Sequence, residues 1–182
     1  MRINKKMQDS IWDWVKAIML TLLLAVIIRF FIFIPLRVDG SSMSPTLQQN
    51  NYIIYEKLTP IRRFDIIIFN NDAGETLIKR VIGLPGDRLE YKDDQLILNG
   101  KPVEEPYLKQ GNNEQLETFT SDFNLLDLTG MDSVPENSYF VMGDNRNRSN
   151  DSRMFGFVSQ EDIVGKASMV YYPLDELRFI GE

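Results

Sequence analysis

A mainly β domain of short antiparallel strands, preceded by one N-terminal transmembrane helix, is the fold class that the sequence predicts. Three observations predict it. Residues 17–36 form an apolar run of 20 residues, interrupted only by Thr21, Arg29 and Pro35. After it, short runs rich in β-branched residues recur between clusters of Gly, Pro, Asn and Asp, the pattern of strands and turns. No self-similar period of 20–50 residues runs along the chain, so a solenoid or propeller is not expected.

The chain of 182 residues has room for one domain and an appendage. With 43% hydrophobic and 25% charged residues, its composition is that of a folded globular protein. There is no Cys and no His. Disulfides and thiolate chemistry are therefore excluded, and zinc, haem or another metal cofactor is not expected. Charge is divided unevenly. Residues 1–37 carry six Lys/Arg against Asp9 and Asp13, a net +4, and the remainder carries 14 Lys/Arg against 24 Asp/Glu, a net −10. So acidic a body repels phosphate and argues against nucleic acid as a partner.

As a helix, the run 17–36 is long enough to cross a hydrocarbon core of ~30 Å. Trp12 and Trp14 stand at its start, where aromatic rings favour the headgroup layer. No small-x-small site follows the run before FIFIPLRVDG, so the segment reads as a retained anchor and not as a cleaved leader. Arg29 at mid-bilayer costs a few kcal/mol, less if it snorkels, and is expected at the outer interface. The lysines before the helix are retained on the cytoplasmic side. Residues 1–36 are thus the expected cytoplasmic terminus and anchor, with the lipid bilayer as partner. Residues 37–182 are the expected extracytoplasmic domain of a single-pass cell-membrane protein, with 88–135 as a hairpin and loop sub-region.

Strands are expected at 52–55, 65–69, 77–82, 96–98, 139–142 and 167–172. Asn99-Gly100 is a hairpin turn signal. Residues 159–162 suit a single helical turn. The polar stretch 109–135 reads as a small sub-domain or extended loop, and 111–122, poor in large apolar residues, is expected to be mobile.

The chemistry centres on Ser42 in VDGSSMSPTL (38–47). A lone serine most often sits in a turn and bonds local backbone. Without His or Cys, however, neither a Ser-His-Asp triad nor a thiol nucleophile is available. Then, 37 positions on, Lys79 opens KRVIGLPGD (79–87) within an apolar run. A Ser-Lys pair activates a hydroxyl without histidine. In water a lysine amine, pKa ~10.4, cannot accept that proton. Burial among Leu77, Ile78, Val81 and Ile82 disfavours the charged form and lowers the pKa. On a strand, Lys79 shares a face with Leu77 and Val81. Arg80 points the other way, and a guanidinium does not deprotonate.

Four segments, VDGSSMSPTL, RRFDIIIF, KRVIGLPGD and GDNRNRSNDSR (143–153), follow one another in that order behind the apolar run. Together they resemble the successive boxes of a type I signal peptidase, the membrane-bound Ser-Lys protease that removes signal peptides from exported proteins. The compact length resembles the bacterial Gram-positive type, and the likeness spans roughly residues 12–170. It implies a signal-peptidase/LexA-like β fold of short, coiled antiparallel strands, Ser42 as nucleophile and Lys79 as general base.

By the same resemblance the Ser149 hydroxyl holds the amine, while Asp151 and Arg153 pair to brace their loop. Gly143 lets the backbone turn, and Asp144 and Asn145 cap that loop or bridge it to the serine turn. Some members carry a hydroxyl two positions before the nucleophile. Gly40 stands there in this chain, so the oxyanion hole rests mainly on the Ser42 backbone N–H. Val38, Met43, Leu47 and Ile78 match positions that line the cleft, whose shallow apolar walls imply an Ala-x-Ala preference at −3 and −1. Signal-peptide-bearing preproteins are the implied partners, bound as a strand beside 77–82 or 38–42. Two rival readings are weighed against this one. A self-cleaving repressor-type Ser-Lys protease needs a DNA-binding segment where the apolar run stands. An inactive membrane-anchored assembly or binding module should lack the serine or the lysine, and both are present.

Overall fold

The computed structural model describes residues 5–31, 34–57, 59–110 and 120–180. The chain divides into two compact units, Met1–Ile34 and Pro35–Glu182. The first is one helix, α1 (Lys5–Phe31). Ile18, Leu20, Leu22, Leu23, Leu24 and Val26 on it are each more than half exposed. They stand on consecutive and near-consecutive positions, so no single stripe collects them. Among the described residues no helix is long and apolar enough to cross a membrane. The side chains of 27–33, which belong to the apolar run 17–36 and include Arg29, lie outside the described residues.

The second unit is mainly β. Its strands are β1 (Ile34–Arg37), β2 (Tyr52–Glu56), β3 (Ile66–Asn70), β4 (Thr76–Gly83), β5 (Leu89–Lys92), β6 (Gln95–Leu98), β7 (Lys101–Val103), β8 (Phe123–Asn124), β9 (Ser138–Met142), β10 (Val158–Ser159), β11 (Ile163–Tyr172) and β12 (Arg178–Phe179). Two short helices, α2 (Leu125–Thr129) and α3 (Ser152–Phe155), lie between them. The large sheet runs β1-β2-β11-β3-β4-β9-β10, with β12 also on β11, and the small sheet runs β7-β6-β5-β8.

Position within the sheets explains the sequence patterns. β3 lies between β11 and β4, and Ile66, Ile67, Ile68 and Phe69 are all buried. A strand covered on both faces reads as a continuous apolar run. The β6–β7 hairpin turns through Asn99 and Gly100 at φ 53° and 76°, the left-handed pair that a two-residue hairpin loop requires. The expected turn at 159–162 is a 3₁₀ helix, Gln160–Asp162, capped by the Ser159 hydroxyl, which accepts from the Glu161 N–H. Within the polar stretch 109–135 the chain forms β8 and α2. The Asn124 side chain caps α2, and Gly130 ends it at φ 74°. The expectation of mobility for 111–122 falls on residues of which 111–119 lie outside those described.

β4 and β9 separate two apolar clusters. Ile82, Phe140 and Met142 face one cluster with Leu89, Tyr91, Leu96, Tyr107 and Leu125 of the small-sheet side. Val81, Tyr139 and Val141 face the other, with Ile67, Phe69 and Val158. The period-two alternation of a strand therefore sends neighbouring residues into different environments. For Lys79 and Arg80 that separation decides their chemistry.

Candidate active site

Ser42 lies in a turn-rich segment, 40–47, that follows β1. Gly40 enters it at φ 86°, a left-handed conformation in which a Cβ is disfavoured. The Met43 carbonyl accepts from the Leu47 N–H, and the Ser41 carbonyl accepts from the Ser44 N–H. Met43 and Leu47 anchor the segment in the interior. Among the described residues the Ser42 N–H has no hydrogen-bond partner.

β4 carries Lys79, whose side chain is buried. Its Nζ is 2.9 Å from Ser42 Oγ and 3.1 Å from the Ile78 carbonyl oxygen. Burial lowers the Lys79 pKa from the ordinary value of 10.5, and the nearby Asp151 carboxylate opposes part of that shift. As an ammonium, the group donates to Ser42 Oγ. Once neutral, it has a lone pair to accept from the same hydroxyl.

The loop after β9 closes the site from behind. The Ser42 carbonyl accepts from the Asn145 N–H at 3.0 Å, and the Ser41 carbonyl accepts from Asn145 Nδ2 at 3.1 Å. Asn145 is thus the bridge to the serine turn. Asp144 faces the other way and makes a buried bidentate pair with Arg80, 2.8 Å and 2.7 Å. The Arg80 guanidinium also stacks 3.9 Å from the centre of the Tyr107 ring. Asp151 and Arg153 form an ion pair of 2.8 Å. Asp151 in addition accepts from the Gly143 N–H at 2.9 Å and caps α3.

Three expectations need correction. Ser149 Oγ is buried and makes no hydrogen bond among the described residues, so the expected bond to Lys79 is not formed. The amine is instead occupied by Ser42 and by its own strand's carbonyl. Leu47 is fully buried and does not line the cleft, because the turn points it into the core. Gly143 is needed for space and not for turning. Its φ is not positive, but a Cβ there would overlap Ser149 Oγ and lie 2.5 Å from both Ser149 Cβ and the Ser42 carbonyl oxygen.

A cleft of about 180 Å³ opens beside the pair, lined by Val38, Gly40, Met43, Leu77 and Ile78 together with Ser42 and Lys79. β9 pairs with β4 only from Arg80 onward, while β3 pairs with Thr76 to Arg80. Among the described residues the stretch 76–79, residues of which line the cleft, thus has one unpaired backbone edge. Among the described residues no group of three or more acidic side chains is placed to hold a metal ion.

The family model for signal peptidase, peptidase S26, matches residues 11–172. The chain belongs to that family. The signal peptidase I of Bacillus caldolyticus is 45% identical over 181 residues, 97% of each chain. Signal peptidase I S of Bacillus subtilis strain 168 is 43% identical over 185 residues, 96% of each chain. The crystal structure of a signal peptidase I from Enterococcus faecalis V583 matches with TM-score 0.55 and 45% identity, covering 60% of this chain and 98% of that one. The chain is thus a Bacillus-type type I signal peptidase, a hydrolase whose reaction is signal-peptide cleavage.

Four buried polar residues of this signal peptidase were not legible in its sequence. Glu105, Arg146, Tyr91 and Tyr107 meet in one network although Arg146 lies 41 residues from Glu105 and 55 from Tyr91 in the chain. A Glu before a Pro and a second Arg in a polar loop carry no signal of their meeting.

Proposed function

We propose that this signal peptidase cleaves by a Ser-Lys mechanism, with Ser42 as nucleophile and Lys79 as general base. The observation that carries the reading is the 2.9 Å separation between the Lys79 amine and the Ser42 hydroxyl, with the amine buried and its pKa lowered. The neutral amine takes the hydroxyl proton as Oγ attacks the scissile carbonyl carbon. The protonated amine then returns a proton to the leaving amine, and water hydrolyses the acyl-enzyme in a second round. The unpartnered Ser42 N–H supplies an oxyanion donor, as a chain with glycine at position 40 requires. Asp151 and Arg153 brace the loop behind the pair.

The preprotein binds as an extended strand along the unpaired edge of 76–79, with its backbone hydrogen-bonded and its side chains alternating into the cleft. Val38, Met43 and Ile78 give that cleft apolar, shallow walls. Such walls accept methyl-sized side chains and favour Ala at −3 and −1. Helix α1 is the membrane anchor, with its N-terminus cytoplasmic and 37–182 forming the extracytoplasmic catalytic domain. This is supported by the apolar run 17–36, by the exposure of apolar side chains on α1 and by the net +4 of residues 1–37. Apolar side chains exposed at most positions of a helix are unfavourable in water and suited to lipid.

Cleavage of a preprotein in detergent micelles tests the mechanism. Wild type is expected to release the signal peptide after an Ala-x-Ala site. Ser42→Ala and Lys79→Ala are each expected to lose activity by roughly 10³-fold or more. Wild-type rates in either variant would end the Ser-Lys reading.

A further inference from the structure

Arg146, within the last of the four sequence segments, meets Tyr91, Glu105, Tyr107 and Thr120, which lie outside all four, in one buried hydrogen-bonded cluster. Arg146, in the 3₁₀ turn after β9, is buried. Its Nη2 is 2.5 Å from Glu105 Oε1, and its Nη1 is 3.4 Å from Glu105 Oε2. Nη1 also donates to Tyr91 OH at 2.8 Å and Thr120 Oγ1 at 3.0 Å. The hydroxyls of Tyr91 and Tyr107 both donate to Glu105 Oε1, at 2.8 Å and 2.5 Å. The last donor, Nε, reaches the Gly143 carbonyl at 3.1 Å.

Gly143 is consequently held on both sides. Asp151 accepts from its N–H, and Arg146 donates to its carbonyl. The circuit closes because Arg153, paired with Asp151, donates to the Arg146 carbonyl at 2.7 Å. Gly143 in turn packs against Ser149 and the Ser42 carbonyl with no room for a Cβ. Two residues on, the Asn145 N–H holds that same carbonyl. The anchor of the circuit is a carboxylate between β7 and a 3₁₀ helix, on the small-sheet side of the fold.

Burying an ion pair is a poor way to gain stability, since apolar groups of equal volume do as well or better. What a fully satisfied polar cluster supplies is one fixed geometry. We propose that Glu105 is a positioning residue for signal-peptide cleavage: by holding Arg146 it fixes Gly143, and through that loop the seat of Ser42 against Lys79. The inference rests on the Ser42–Lys79 reading.

The experiment uses the full chain in detergent micelles with a preprotein substrate, and reads kcat and KM separately, well below each variant's melting temperature. Glu105→Gln keeps the shape and removes the charge. Its kcat is expected to fall roughly tenfold to a hundredfold, because a small displacement at the reacting atoms is costly, while KM stays at the wild-type value. If Glu105→Gln does not fold, Tyr91→Phe, which removes one hydroxyl from the same carboxylate, is read by the same criterion. A wild-type kcat in the variant that is read, even with a lowered melting temperature, overturns the proposal. Ser42→Ala measured alongside keeps the two claims apart. If it cleaves like wild type, the Ser-Lys reading fails. If it is inactive while Glu105→Gln retains its full kcat, only the role of Glu105 fails.

Discussion

Lys79→Met is expected to abolish cleavage and at the same time to raise the melting temperature. Methionine has nearly the volume of the lysine stem, so the buried site stays filled. What it removes is the amine. Lys79 is buried with its pKa below 10.5, so at neutral pH the folded state forgoes a proton, or bears a desolvated charge, that the unfolded chain holds at no cost. Between the folded pKa and 10.5 the unfolded state binds more protons, and wild-type stability rises as pH rises through that window. Below the folded pKa the penalty is complete. Above 10.5 it is gone. The gain of Lys79→Met is therefore expected to be largest at neutral or lower pH and to shrink toward pH 10, at about 2–4 °C in Tm for each ~1 kcal/mol. Thermal melts from pH 6 to 10, beside a cleavage assay, check both halves. Asp151, which opposes the shift, remains satisfied by Arg153 and the Gly143 N–H.

Gly143→Ala is expected to cost activity at least about a hundredfold and stability about 1–3 kcal/mol. The new methyl would overlap Ser149 Oγ and press on the Ser42 carbonyl oxygen at 2.5 Å. The Ser149 hydroxyl makes no hydrogen bond and can rotate away, but Ser149 Cβ and the Ser42 carbonyl oxygen still lie 2.5 Å from the new methyl. The Ser42 carbonyl is fixed by the Asn145 N–H, and Gly143 itself is fixed by Asp151 and Arg146. The strain therefore falls on the serine turn, and the Ser42–Lys79 separation lengthens. Gly40→Ala provides the contrast. Its Cβ would meet nothing within 4 Å, so the cost there comes from a φ of 86° alone. Denaturation curves and kcat/KM for the two variants separate crowding at the reacting atoms from backbone strain.

How much of this was legible in the sequence depends on the reach of each signal. Local signals served well. The apolar runs marked β2, β3, β4, β6, β9 and the end of β11, and Asn99-Gly100 marked its hairpin, because strand burial and turn geometry act on neighbouring residues. β11 extends back to Ile163 beyond the expected 167, since pairing with β3 on one side and β2 on the other supports residues of modest propensity. The two-residue strands β8, β10 and β12 leave no periodic trace.

At the site, alternation along β4 correctly separated Lys79 from Arg80. It could not say what Arg80 would do, because its partner Asp144 lies 64 residues away. Leu47 was placed on the cleft wall by its family position, and the turn carried it inward instead. The Glu105–Arg146 cluster is the extreme case. Its members meet only after the small sheet has packed against β4 and β9, and no spacing rule links them.

The claim on which the chemistry depends is that the Lys79 amine has a lowered pKa while it touches Ser42. Titrating that amine directly measures it. Selective ¹⁵N labelling of lysine Nζ in the detergent-solubilised full chain, with Lys79→Met used to assign the resonance, gives its pKa without reference to activity. A pKa clearly below 10.5 is the predicted result. An amine that titrates at the ordinary 10.5 would contradict the account.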